Sequence, residues 1–122
     1  MKMTAKELVK DFYKSNVFLD STLLDTYMHP DVSLDWNSSK GFLQMNKEEM
    51  VNIVNQMGKA YHSSRVYITH LLEDNNKVTV RYSHYIKTIE NPREEMILAH
   101  FIVIWELKDG KLYRGFQMSQ LS

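Results

Sequence analysis

The sequence predicts an α+β fold in which three N-terminal helices pack on a curved, mainly antiparallel sheet. Three observations carry that prediction. The front half of the chain holds three helix-start signals, each followed by apolar residues at helical spacing. After residue 60 the period changes to two, through Val66 and Ile68, then Val78 to Ile86, Met96 to Leu107 and Leu112 to Leu121. The joints between those four strands are short turn chemistry, Asp74-Asn75-Asn76, Asn91-Pro92-Arg93 and Asp109-Gly110, which suits an antiparallel meander and not crossovers. Helices covering one face of such a sheet make a cone with a blind pocket.

Each element has a local cause. Thr4 and Glu7 form a capping box and Leu8, Val9 and Phe12 then share a face, so the first helix is expected over 4–16. A second, short helix begins at Asp20 or Ser21, turns Leu23, Leu24, Tyr27 and Met28 inward, and stops at His29-Pro30 because proline disfavours helical geometry before it. Val32, Leu34 and Trp36 alternate with Ser33 and Asp35 as a short half-buried strand, and 37–41 read as a loop. Asn46 with Glu49 starts a third helix, with Met50, Ile53, Val54 and Met57 on one face, ending near Ala60.

The composition narrows the function. A chain of 122 residues is read as one domain over 1–122, large enough for a core without staples. Lys+Arg and Asp+Glu are equal at 15 each, so neither nucleic acid nor an anionic membrane is an expected partner. There is no cysteine, which excludes disulfides, thiol nucleophiles and thiolate metal sites. Met1 to Glu7 lack the apolar core of a secretory leader, and Met96 to Trp105 is too short and too polar at His100 for a membrane span, so a cytoplasmic address is the default.

Asp109-Gly110 between two apolar runs predicts a two-residue hairpin. That register pairs Lys108 with Lys111, Ile104 with Gly115, Ile102 with Gln117 and His100 with Ser119. One face then carries His100, Ile102, Ile104, Tyr113, Gly115, Gln117 and Ser119. The other carries Phe101, Val103, Trp105, Leu107, Leu112, Arg114, Phe116 and Met118, too apolar to face water. The helices can cover only one face, so a homodimer through the outer sheet face is expected, with Trp105 and Arg114 as a cation–π pair at the interface. A three-residue loop at Asn91-Pro92-Arg93 pairs Ile86 with Leu98 and sets His84 opposite His100 on the pocket wall.

The element order, the length, His29-Pro30-Asp31-Val32 leading into the first strand and the turn Asp109-Gly110-Lys111-Leu112 resemble the nuclear-transport-factor-2-like superfamily, and within it the SnoaL-like proteins. The resemblance spans essentially the whole chain and implies a cone-shaped α+β barrel and a homodimer through the sheet. The fold hosts isomerases, dehydratases, cyclases, epoxide hydrolases and non-enzymatic binding modules. The superfamily's ketosteroid isomerases use an aspartate base on the first strand, with a tyrosine on the first helix and a protonated acid on the sheet as oxyanion donors. Matched through Asp20 and Asp31, those positions hold Trp36, Phe12 and Ile104 here, so that reaction is not expected. Alternation aims Asp35 outward, and the Asp-Arg-Asp set of the epoxide hydrolases lacks inward counterparts.

The expected function is therefore binding of a small apolar or planar molecule in an aromatic pocket. The candidate ligand contacts are Trp36, Tyr82, Tyr113, Gln117 and Phe12. His84 and His100 are the candidate catalytic pair for general acid–base lyase or isomerase chemistry, since histidine titrates near neutrality. Two alternatives stand beside this: the histidines are half-buried groups satisfied by tyrosine or backbone, or the chain is a non-catalytic ligand-binding or dimerisation module. Two histidines with Asp35 or a glutamate could hold zinc, but no histidine pair has close ligand spacing, and neither a metal nor a cofactor is expected.

Overall fold

The computed structural model describes residues 3–121. Helix α1 (Ala5–Lys14) starts at the Thr4/Glu7 capping box, with both reciprocal hydrogen bonds formed, and buries Val9, Phe12 and Tyr13. A 3₁₀ turn (Ser21–Leu23) capped by Asp20 runs into the one-turn α2 (Leu24–Tyr27). Strand β1 (Met28–Ser38) follows at once. Pro30 is accommodated in it because the pairing with the neighbouring strand shifts between Met28 and Ser33, where a ladder N–H is not required.

Residues 37–41 are not simply a loop. β1 continues to Ser38, turns through two residues, and returns as β2 (Gly41–Asn46), an exposed edge strand whose Phe42 and Leu43 face water. The edge carries no alternation, so the sequence pattern does not reveal it. Helix α3 (Lys47–Ala60) begins at the expected Asn46/Glu49 capping box. It lies mid-chain, after two strands, so the helices are not all N-terminal as expected.

The remaining chain is the expected meander: β3 (Tyr61–Asp74), β4 (Lys77–Thr88), β5 (Met96–Lys108) and β6 (Lys111–Leu121). The six-stranded sheet has the order β2-β1-β6-β5-β4-β3, antiparallel throughout except for the β1–β6 pair. α1 packs on β3 and β4, and α3 on β1, β2 and β3, so the core lies between the helices and the inner sheet face. Among the described residues no helix is long and apolar enough to cross a membrane.

Two bulges set the faces of β5. The Asp109-Gly110 turn has both residues at positive φ, and Lys108↔Lys111 and Leu107↔Leu112 pair as expected. Tyr113 is then an extra residue, so Trp105 opposes Gly115, Val103 opposes Gln117 and Phe101 opposes Ser119. At the other end Ile86 pairs with Met96, Leu98 is the extra residue, and His84 opposes Ala99. Phe101, Val103 and Trp105 therefore face the helices, and His100, Ile102 and Ile104 face outward, the reverse of the expected assignment.

Candidate ligand-binding site

The inner face of the sheet, α1 and α3 line a partly open cavity of about 150 Å³. Its floor is built from β4, β5 and β6, where the stacked rings of Tyr82 and Phe101 lie 4.9 Å apart at 12°. Phe12 and Tyr13 of α1 form one wall. Met28, Met45, Met50 and Met57 contribute adaptable thioether surface from β1, β2 and α3. Among the described residues no lysine, arginine, aspartate or glutamate lines it.

The polar groups at the cavity are few. Trp36, on β1 beside Gln117 of β6, donates its indole N–H to Ser119 Oγ at 2.8 Å. Trp105 Nε1 donates to the Tyr13 hydroxyl at 2.9 Å. Burial pushes both the Tyr13 and the Tyr82 hydroxyls well above the ordinary phenol range, so both stay protonated. The Gln117 amide is buried and makes no side-chain hydrogen bond among the described residues.

His84 is the only titratable imidazole on the cavity wall among the described residues. It is 1 % exposed, lies 4.8 Å from the Phe18 ring, and approaches Ser64 Oγ through Nε2 at 2.5 Å. Desolvation, with no carboxylate to offset it, pushes its pKa down to about 4, so the ring is neutral at pH 7. No group of three His, Cys, Asp or Glu residues converges as a metal site among the described residues.

Of the expected ligand contacts, Phe12, Trp36, Tyr82 and Gln117 meet at this cavity with His84. His100 does not join them. It lies on the outer face, where Ser83 Oγ is 2.8 Å from its Nδ1, so the two histidines share no wall. Tyr113 sits in the bulge near the Asp109-Gly110 turn, between His29 at 5.0 Å and Arg114 at 4.0 Å, away from the cavity. Arg114 thus stacks on Tyr113, and Trp105 is buried in the core, so the expected Trp105–Arg114 pair does not form. Asp35 faces outward and accepts from Gln44 Nε2 at 2.9 Å, and Ile104 is also on the outer face.

Sequence reasoning missed Tyr13, Phe101, Trp105 and Ser64. The β5 pair was lost to the bulge at Tyr113, whereas Ser64 was readable, since it alternates inward with Val66 and Ile68. Gly115 also carried a signal: a Cβ there would meet Trp105 Cζ3 at 2.6 Å, so the small residue marks where the indole crosses β6.

The model of the SnoaL-like domain matches residues 11–115 of the chain. Among solved structures, IdmH, a candidate polyketide cyclase from Streptomyces antibioticus, superposes with a TM-score of 0.75 at 11% identity, covering 96% of this chain and 92% of that one. AclR, a candidate hydroxylase from Streptomyces galilaeus, gives a TM-score of 0.77 at 13% identity over 96% and 79% of the two chains. An LEH-like epoxide hydrolase of M. tuberculosis gives 0.69 at 14% identity over 94% and 81%. At these identities the likeness shows the fold. No curated protein matches the chain by sequence.

Proposed function

We propose, for a chain that belongs to the SnoaL-like domain family, that it binds one small, neutral, apolar or planar molecule in the cavity between α1, α3 and the sheet. One observation carries this reading: a partly open space of about 150 Å³, walled by aromatic and methionine side chains and free of charged groups among the described residues. A cavity of roughly that size has room for a single-ring hydrocarbon such as benzene. Titration with toluene, followed by calorimetry and by the rise in Tm that saturating ligand produces, tests it. Binding by the wild type and its loss in the cavity-filling variant Val54→Trp is the expected result; no heat and no Tm shift with the folded protein would end it.

General acid–base catalysis on the bound molecule, as in a lyase or isomerase, is the second reading. It is favoured by His84, a neutral base at pH 7 on the cavity wall, and by structural neighbours that include a candidate cyclase and an epoxide hydrolase. A base with a pKa of about 4 holds a proton only transiently, which ranks catalysis behind binding.

The partner belonging to this proposal is a second copy of the chain on the outer sheet face. Ile102↔Met118 and Ile104↔Phe116 form an exposed apolar centre there: Phe116 and Met118 keep the outer side read from the sequence, and Ile102 and Ile104 stand in place of Phe101, Val103 and Trp105. Asp35 flanks it on the β1 side and Arg81 on the β4 side, so a two-fold pairing about an axis along the strands brings opposite charges together.

A further inference from the structure

Ser64 and His84 join two spaces. The serine lines a groove of about 270 Å³ beside the C-terminal end of α1, together with Lys14, Ser15 and Arg65. The imidazole lines the cavity, and Ser64 Oγ and His84 Nε2 are 2.5 Å apart. His84 Nδ1 has no hydrogen-bond partner among the described residues, and the ring lines the cavity. An unpaired polar group in an apolar wall is costly unless a ligand completes it.

We infer that Ser64 and His84 form a tautomeric reader at one end of the cavity, which accepts either a hydroxyl or a carbonyl on an otherwise apolar, neutral ligand. The inference rests on the binding reading above and names the ligand's polar group. A ligand hydroxyl donates to a bare Nδ1; the ring proton then sits on Nε2 and is donated to Ser64 Oγ. A ligand carbonyl accepts from Nδ1–H; Nε2 is then bare and accepts from the Ser64 hydroxyl. The ring carries one proton and no charge in both states. Passing between them returns one proton to water and takes one up, and the groove gives the Ser64 side that access. A carboxylate finds no cation on the wall and stays out.

The ladder puts the other open polar group at a distance. Gln117 opposes Val103, whereas His84 opposes Ala99, two inward positions further along β5, with Phe101 between them. The Gln117 amide is thus a separate contact and does not substitute for the reader.

The test is ¹⁵N NMR of the histidine ring nitrogens in protein titrated with toluene, phenol, cyclohexanone and benzoate. Toluene is expected to bind without moving the proton, phenol to drive it to Nε2, cyclohexanone to drive it to Nδ1, and benzoate not to bind. Ser64→Ala should weaken phenol and cyclohexanone by roughly two- to tenfold and leave toluene unchanged, with Ser64→Thr restoring both. If toluene binds but phenol and cyclohexanone leave the same tautomer, the reader is wrong and the binding pocket stands. If Ser64→Ala changes neither probe, or benzoate binds like toluene, the reader is likewise overturned. If no probe binds the folded wild type, both readings fall.

Discussion

The Ser83 hydroxyl lies 2.8 Å from His100 Nδ1 across the β4–β5 ladder on the outer face of the sheet, while His84, the next residue of β4, points into the core. Adjacent strand residues face opposite ways, so the sheet itself separates the two imidazoles. His84 is therefore tuned by burial, with Ser64 as its hydrogen-bond partner and without a second histidine beside it.

That isolation makes stability depend on pH. The pKa of His84 falls from 6.5 in the open chain to about 4 in the fold, so between those values the unfolded chain binds more protons than the native one. Stability then rises with pH across this window, is flat with respect to this group above it, and is lost as pH falls from 6.5 towards 4. At about 1.36 kcal/mol per pH unit, urea unfolding should give a wild type about 2 kcal/mol weaker at pH 5 than at pH 7. His84→Gln should lack that part of the loss. Equal losses in both proteins would mean that the buried ring takes up its proton without penalty.

Tyr13 and Trp105 make a buried polar pair inside an aromatic cluster, with the indole N–H donating to the hydroxyl at 2.9 Å. Tyr13→Phe keeps the ring and strands the donor. The expected cost is about 1–3 kcal/mol in urea unfolding, with a change in the tryptophan emission as the indole environment alters. A neutral result would show that the indole N–H finds another acceptor.

The helices and the inward set of β4 were legible because strong local rules agree there: two capping boxes, helical spacing, and alternation from Val78 to Ile86. The faces of β5 were not legible. Ile102 and Ile104 are as apolar as Phe101, Val103 and Trp105, so alternation carries no preference, and one extra residue at Tyr113 or Leu98 reverses the reading. The same bulges explain the candidate site: His84 sits on β4, whose inward set follows the expected alternation, and Gln117 lies beyond the β6 bulge where Gly115 and Gln117 keep their expected side, whereas His100 lies on β5 and Leu112, expected outward, is in the core. Tyr113 was misplaced because it is itself the bulged residue.

Gly115 is where the fold depends on a missing side chain. A Cβ there would lie 2.6 Å from Trp105 Cζ3 and 2.7 Å from Leu34 Cδ1, both closer than atoms pack. Gly115→Ala must push the indole or the leucine, and both line the cavity. Overpacking of this kind costs about 1–3 kcal/mol. Urea unfolding should register that loss, and toluene binding should weaken with it; an unchanged midpoint would mean that Trp105 can slide without strain.

The outer face should hold a second copy of the chain, and Met118 is the place to test it. Met118 is 61% exposed and lies opposite Ile102, at the centre of the apolar patch. A charge introduced there touches no core residue, so the protomer should fold as before. In a two-fold dimer it is buried twice with no partner, and each desolvated carboxylate costs several kcal/mol, on the order of a hundredfold or more in the dissociation constant. Sedimentation equilibrium at micromolar concentration should therefore find a wild-type dimer and a monomeric Met118→Glu with unchanged circular dichroism. A wild type that sediments as a monomer throughout that range, or a Met118→Glu protein that stays dimeric, would remove this face as the interface.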